Sequence, residues 1–110
     1  MCTLIGTKFQ PDFKNKIIFF EEVGTEPYVL DGMFDEVSGV IIGQMKNCNA
    51  NYFPERDGTA NAVINDWCNK IKVPCIKSFP YGHFEARCVL PIGQMATLDA
   101  SNCKLSINNK

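Results

Sequence analysis

The chain has 110 residues, of which 45% are hydrophobic and 21% are charged, and these fractions exclude a disordered or fibrous protein. Its 11 basic and 12 acidic residues leave a formal net charge of −1, with no basic stretch of the kind that binds nucleic acid or an anionic membrane. No apolar run approaches the roughly 20 residues that span a bilayer, and the N-terminus lacks a signal-peptide pattern. We therefore expect a cytoplasmic protein with no nucleic-acid or membrane partner.

Six cysteines are spread over this short chain, and an even count invites a disulfide framework. We predict reduced, mostly buried thiols instead, because no secretory segment is present and the composition can build a core without disulfides. A zinc site is not predicted, since the sequence has no C-x-x-C motif and a single histidine. The cysteines are Cys2, Cys48, Cys68, Cys75, Cys88 and Cys103.

Two apolar runs in the first half of the chain predict buried strands. Residues 16–20 are rich in β-branched and aromatic side chains, and residues 37–45 repeat the pattern around glycines. Between residues 59 and 71, apolar side chains recur at three- and four-residue spacing, which predicts an amphipathic helix with Thr59 as its N-cap. Strand, strand and helix in this order are typical of an α/β domain.

The second half of the chain is predicted to be rich in strands. Residues 73–77 form a strand with Pro74 near its start, and residues 87–90, 94–98 and 104–107 form short strands separated by turns. We therefore predict an α/β fold in which a small mixed, mainly parallel sheet carries one clear amphipathic helix and a β-rich C-terminal tail. Residues 1–110 are expected to form a single domain.

Two polar residues at the ends of predicted strands are candidates for chemistry. His83, the only histidine, follows the strand of residues 73–77, and ligands of parallel sheets bind at the carboxyl ends of strands. Glu21 follows the first apolar run at the same predicted edge, where a carboxylate is costly to bury without a partner. That partner is either the His83 imidazole or a lysine or backbone N–H, and spacing alone leaves both open.

A series of short motifs extends over nearly the whole chain. The motifs are Gly6-Thr7, Pro11-Asp12-Phe13, the run from Lys16 to Gly24, Glu26-Pro27-Tyr28, the run from Phe34 to Gly43, Pro80-Tyr81-Gly82-His83, and Leu90 to Gly93 with Ala96 to Asp99. No single motif is specific, but together and in this order they resemble the C-terminal domain of the LD-carboxypeptidases.

The resemblance implies a cytoplasmic serine peptidase of two domains that removes a terminal D-amino acid from peptidoglycan-derived peptides. In this family the nucleophilic serine lies in the N-terminal domain, and the C-terminal domain supplies a glutamate and a histidine, which fall on Glu21 and His83. His83 is then the general base and Glu21 orients its ring. No metal or organic cofactor is implied. The implied partners are a muropeptide-like substrate, an N-terminal nucleophile domain in cis or in trans, and a second copy in a homodimer.

Two departures from the family pattern qualify these expectations. None of the serines, which are Ser38, Ser78, Ser101 and Ser106, lies in a Gly-x-Ser nucleophile elbow, so the 110 residues alone are expected to be inactive. The family also carries a longer crossover helix where Asp31 runs directly into Gly32. A truncated crossover uncovers apolar sheet surface, which a partner would then cover.

Three alternatives stay open at this point. A non-catalytic interaction domain would keep the fold without a nucleophile, and a microcin C-type immunity hydrolase would share the same motifs. A thiol hydrolase would pair His83 with Cys48 or Cys75, although a reactive thiol needs an exposed and electropositive setting.

Overall fold

A computed structural model of the chain describes residue 4 and residues 6–24, 36–49, 52, 54–83, 85 and 88–108. The elements in these ranges are β1 (Ile17–Val23), β2 (Gly39–Lys46), α1 (Pro54–Asp57), α2 (Ala60–Lys70), β3 (Cys75–Ile76), β4 (Ala96–Asp99) and β5 (Lys104–Ile107).

The three strands β1, β2 and β3 form a parallel sheet in that order, so β2 is the central strand. Val40, Ile41 and Ile42 of β2 are at most 2% exposed, because both faces of the central strand are covered. β1 lies at the edge, and its first four residues are only partly buried. The predicted α/β fold with a mainly parallel sheet is confirmed.

Helix α2 connects β2 to β3 and covers one face of the sheet. Thr59 caps it by accepting a hydrogen bond from the backbone N–H of Ala62 at 3.2 Å, as the sequence predicts. Ile64 is buried, and the ring of Trp67 lies 6.4 Å from that of Phe20 in an edge-to-face arrangement. Apolar side chains of α2 and of β2 with its flanking residues thus form the main core. Its buried members are Val37, Val40, Ile42, Cys48, Ala60 and Ile64.

The antiparallel hairpin of β4 and β5 lies against the opposite face. Leu98 of the hairpin packs close to Gly39 of β2, where an added Cβ would lie 2.9 Å from the Leu98 side chain. A cavity of about 310 Å³ remains between the sheet and the segment that precedes the hairpin. Residues of both layers line it, including Ile17, Phe19, Ile41, Leu90, Ile92 and Met95.

Several local predictions need correction. β3 has two residues rather than five, because Pro74 donates no hydrogen bond and Ser78 has a left-handed φ of 55° that turns the chain. Residues 88–90 form no strand, and Arg87 lies outside the described residues. The sequence also did not predict the four-residue helix α1. The predicted short crossover between Asp31 and Gly32 lies outside the described residues as well.

The prediction of reduced, mostly buried thiols is only partly right. The five described cysteines are free, but Cys48 alone among them is buried. Cys68, Cys75 and Cys88 are partly buried, and Cys103 is exposed.

Candidate active site

The candidate site lies at the carboxyl edge of the parallel sheet, where strands of α/β proteins present ligand-binding residues. Glu21 belongs to β1, which extends to Val23 rather than ending at the last apolar residue. Side chains alternate along a strand, so Glu21 lies on the same face as Phe19 and opposite to Phe20. Phe20 packs in the core beneath α2, and Glu21 therefore points away from the helix face.

A β-bulge in β2 lies directly opposite Glu21. Phe20 pairs with Ile42, but Glu22 pairs with Met45, so one extra residue of β2 is inserted between these two pairs. Gly43 and Gln44 together face the single residue Glu21. Bulges bend a strand and redirect its side chains, and they are frequent next to active sites.

The loop that carries His83 is tied to β2 by two backbone hydrogen bonds. The N–H of Phe79 donates to the carbonyl of Ile42, and the N–H of Gln44 donates to the carbonyl of Tyr81, each at 3.0 Å. The Tyr81 ring lies 4.9 Å from the Phe19 ring in an edge-to-face arrangement. The loop thus continues the ladder of β3 beyond Ser78 in irregular form, which places His83 beside the end of β1.

Two glycines allow the loop to approach Glu21. A Cβ on Gly43 would lie 2.5 Å from the Tyr81 carbonyl oxygen and 3.1 Å from the Glu21 Cβ. Gly82 has a φ of +124°, and a Cβ there would lie 3.2 Å from the Glu21 Cβ and 3.3 Å from its Oε2. At Gly43 a side chain would collide with the backbone of the loop, and at Gly82 the backbone conformation favours glycine while the space beside Glu21 is tight.

The structure brings the two predicted site residues into direct contact. His83 Nδ1 lies 2.9 Å from Glu21 Oε2, although the residues are 62 positions apart in the chain. The Glu21 side chain is 20% exposed and the His83 side chain is 64% exposed. The Glu21 carboxylate is thus largely shielded from solvent, whereas most of the His83 side chain is exposed.

This geometry suits proton transfer by the imidazole. An ionised carboxylate can only accept hydrogen bonds, so the ring nitrogen that faces Glu21 carries a proton in the neutral tautomer. The second nitrogen, Nε2, then has a free lone pair, and the side chain that carries it is mostly exposed. The contact between Glu21 and His83 agrees with the predicted pairing, and their catalytic roles stay a prediction.

The thiol alternative does not fit the described cysteines. The Cys48 thiol is buried and donates to the carbonyls of Glu22 and Lys46 at 3.4 Å and 3.3 Å. Burial, together with the hydrogen bond that its thiol makes to Cys68, raises the pKa of Cys75 to about 12. A thiol hydrolase needs an accessible thiol that ionises readily next to the histidine. Cys48 is not accessible, and Cys75 does not ionise readily.

The positioning residues Gly43, Tyr81 and Gly82 were not among the predicted site residues. A glycine inside an apolar strand is a known signal for a bulge or a close backbone approach, and Gly43 carries that signal. The role of the Tyr81 carbonyl leaves no signal in the sequence, because any residue supplies a carbonyl.

Two further observations concern only the described ranges. No group of three or more histidine, cysteine, aspartate and glutamate side chains there is arranged to hold a metal ion. No helix there is long and apolar enough to cross a membrane.

Known proteins share both the sequence and the fold of this chain. The family model of the LD-carboxypeptidase C-terminal domain matches residues 1–98. A Synechocystis protein named as a carboxypeptidase is 32% identical over 93% of this chain and 36% of its own length. A Bacillus subtilis protein named as a murein peptide carboxypeptidase is 24% identical over 92% of this chain and 34% of its own length.

A solved structure supports the same fold. The muramoyltetrapeptide carboxypeptidase of Oxalobacter formigenes superposes with a TM-score of 0.66 at 22% identity, over 86% of this chain and 35% of that protein. The chain thus spans about a third of the length of the proteins that it matches. With a family model that matches nearly its whole length, the chain belongs to the LD-carboxypeptidase C-terminal domain family.

Proposed function

We propose that this chain supplies the glutamate and the histidine of a Ser-Glu-His triad to a serine-type LD-carboxypeptidase. The observation that carries the proposal is the 2.9 Å contact between His83 Nδ1 and Glu21 Oε2, with the rest of the ring exposed at the carboxyl edge of the sheet. A nucleophile supplied by another domain can approach only the exposed side of the ring. The carboxylate is on the opposite nitrogen, as such a triad requires.

The proposed reaction is acyl transfer. Nε2 of His83 takes the proton from a serine hydroxyl as the serine attacks the peptide carbonyl, and then gives that proton to the leaving amine. Glu21 holds the ring in the productive orientation and stabilises its positive charge after the first transfer. Gly43 and Gly82 keep the ring and the carboxylate at hydrogen-bond distance.

The nucleophile is proposed to come from an N-terminal domain of the kind that LD-carboxypeptidases carry, in cis or in trans. None of the described serines hydrogen-bonds to His83. Ser38 lies next to the amino end of β2, at the end of the sheet opposite to the carboxyl ends of the strands. We therefore expect the 110 residues alone to be inactive as a peptidase. A homodimer and a cytoplasmic location, both implied by the family, are further parts of this proposal.

The proposed substrate is a peptidoglycan-derived peptide that ends in a D-amino acid. Support comes from relatives whose names refer to murein peptide and muramoyltetrapeptide carboxypeptidases. A microcin C-type immunity hydrolase is the alternative within the same chemistry, because it would use the same pair of residues.

A hybrid enzyme tests the proposal. In the hybrid, this chain replaces the corresponding C-terminal third of the Oxalobacter formigenes carboxypeptidase, and release of D-alanine from a muramoyl tetrapeptide is measured. We expect activity in the hybrid and a loss of about 10³–10⁴-fold in kcat for Glu21→Gln and for His83→Asn, since each removes a member of the triad.

Glu22→Gln is the matched control, because Glu22 is the next acid on the same strand and lies on its other face. The kcat of this variant should stay within about threefold of the kcat of the unchanged hybrid, because Glu22 is expected to have no role in the transition state. Near-full activity in either triad variant would disprove the assignment of Glu21 and His83. A folded hybrid without activity would favour the non-catalytic interaction domain instead.

A further inference from the structure

Two thiols meet where α2 packs on the sheet, on the face opposite to the proposed catalytic pair. Cys68 lies in the last turn of α2 and Cys75 begins β3. Their Sγ atoms are 3.2 Å apart, close enough for one thiol to hydrogen-bond to the other. Both residues are only partly buried, so a small reagent can reach the pair.

The local sequence explains why these thiols meet. Cys68 follows Ile64 by one helical turn and shares its apolar stripe, which faces the sheet. Cys75 pairs with Val40 in the parallel ladder and packs against the same core. Four residues, 71–74, connect the end of the helix to the strand, so the chain returns to the helix end directly.

We propose that Cys68 and Cys75 form a modification site, a dithiol that small-molecule disulfides such as oxidised glutathione convert into an intramolecular disulfide between α2 and β3. A disulfide bond is about 2.05 Å long, so the sulfurs must approach by about 1 Å. We expect rotation of the two side chains to supply this movement. The site is independent of the proposed peptidase function.

The exchange proceeds in two steps. Cys68 loses its proton, and its thiolate attacks one sulfur of oxidised glutathione. The attack breaks the S–S bond of glutathione, forms a mixed disulfide and releases a glutathione thiolate, which takes up the proton that Cys68 lost. The Cys75 sulfur then attacks the Cys68 sulfur, breaks its bond to glutathione and transfers its proton to the departing thiolate. The protein pair loses two electrons and two protons, and one oxidised glutathione becomes two reduced ones.

The surroundings of Cys75 set the order of these steps. Burial and the hydrogen bond that the Cys75 thiol makes to Cys68 raise the pKa of Cys75 to about 12, so this thiol is a poor first nucleophile at neutral pH. The nearby charge of Lys77 acts in the opposite direction and favours the Cys75 thiolate. Cys75 is therefore assigned the resolving role, in which its closeness to Cys68 compensates for weak ionisation.

Two of the other described cysteines, Cys48 and Cys103, provide internal references. Cys103 is exposed, and its described contact is with the Ala100 carbonyl, so it should stop at a mixed disulfide with glutathione. Cys48 is 2% exposed and should react slowly. The pair is thus distinguished from the single thiols by its product.

Peptide mapping of the complete chain tests the site. The chain is incubated with oxidised glutathione, free thiols are blocked with N-ethylmaleimide, and the protein is digested with trypsin without reduction. Cleavage after Arg56, Lys70, Lys72 and Lys77 separates the two cysteines into peptides 57–70 and 73–77. We expect these two peptides to be recovered as one linked species that dithiothreitol splits.

The Cys103 peptide reports whether the oxidant has acted. The proposal would be overturned if peptides 57–70 and 73–77 were recovered as separate species, each with glutathione or N-ethylmaleimide, from a sample in which Cys103 carries glutathione completely. In Cys68→Ser and Cys75→Ser the remaining thiol should carry glutathione or N-ethylmaleimide only. The map of the unchanged chain decides the question even if a variant fails to fold.

Discussion

The two faces of the three-stranded sheet differ in how they are covered. On the helix face, Val40, Ile42 and Ile64 are each at most 5% exposed and belong to one continuous core. On the hairpin face, Ile41 is buried, but a cavity of about 310 Å³ separates the sheet from the segment before β4. Ile92 and Met95, which line that cavity, are 72% and 66% exposed.

This difference indicates that one face of the sheet stabilises the fold and the other carries the proposed catalytic residues. Burial of apolar surface contributes about 25 cal/mol per Å², so the closed helix face supplies most of the stabilisation. Glu21 points to the opposite face, as does the Phe19 ring that packs on Tyr81. The proposed catalytic pair thus lies on the more open face of the sheet, and packing on the opposite face stabilises that sheet.

The largest expected effect comes from a cavity in the helix face. Ile42→Ala removes a side chain that is 2% exposed, and such truncations cost about 2–5 kcal/mol of the free energy of unfolding. Ile92→Ala, on the hairpin side, is expected to cost less than about 0.5 kcal/mol, because Ile92 is largely exposed. Urea denaturation of both variants measures the difference. Equal costs would show that the two faces contribute alike.

An intermediate effect is expected where the two regions meet at the bulge. Gly43→Ala places a methyl group 2.5 Å from the Tyr81 carbonyl oxygen, so the His83 loop must move away from β2. Overpacking of this kind costs about 1–3 kcal/mol. It should also weaken the hydrogen bond from Gln44 to Tyr81 and separate His83 from Glu21.

Gly93→Ala is the matched control for that substitution. Gly93 has a left-handed φ of +77° but open space around it, so the variant measures backbone strain without a collision, about 1 kcal/mol. The NMR signals of the His83 ring should shift in Gly43→Ala and stay in place in Gly93→Ala. Unchanged His83 signals in Gly43→Ala would show that the loop does not depend on this close approach.

The smallest expected effect is a pH dependence of the hairpin. The Asp99 carboxylate accepts hydrogen bonds from the Asn102 side-chain amide at 2.8 Å and from the Asn102 backbone N–H at 3.1 Å, which lowers the pKa of Asp99 below its ordinary value of 3.8. A carboxyl group whose pKa is lower in the folded state than in the unfolded state stabilises the folded state at pH values above its unfolded pKa. That contribution disappears as the pH falls through the folded pKa.

Asp99→Asn should therefore be less stable than the unchanged chain near neutral pH, and the difference should shrink under acid conditions. Urea denaturation at a series of pH values measures this. Asp66→Asn is the control on α2, where Asp66 forms an exposed ion pair with Lys70 that contributes little. A difference for Asp99 that does not change with pH would rule out the carboxylate as its source.

Much of the fold was predictable from residue patterns. The apolar runs, the helical spacing between residues 59 and 71 and the Thr59 cap are local signals, and each corresponds to an observed element. Boundaries were less predictable. β1 extends through Glu21 and Glu22 because pairing with β2 continues past the apolar residues, whereas β3 is cut short by Pro74 and by the turn at Ser78.

The chain by itself determined which residues were candidates, because Glu21 and His83 follow predicted parallel strands whose carboxyl ends share one edge. Only the tertiary structure decided that they touch, that the bulge at Gly43 and Gln44 faces Glu21, and that Cys68 meets Cys75. Local periodicity reports which face of an element is apolar. A contact between residues 62 positions apart depends on register and on backbone approach, and these are set by packing of the whole sheet.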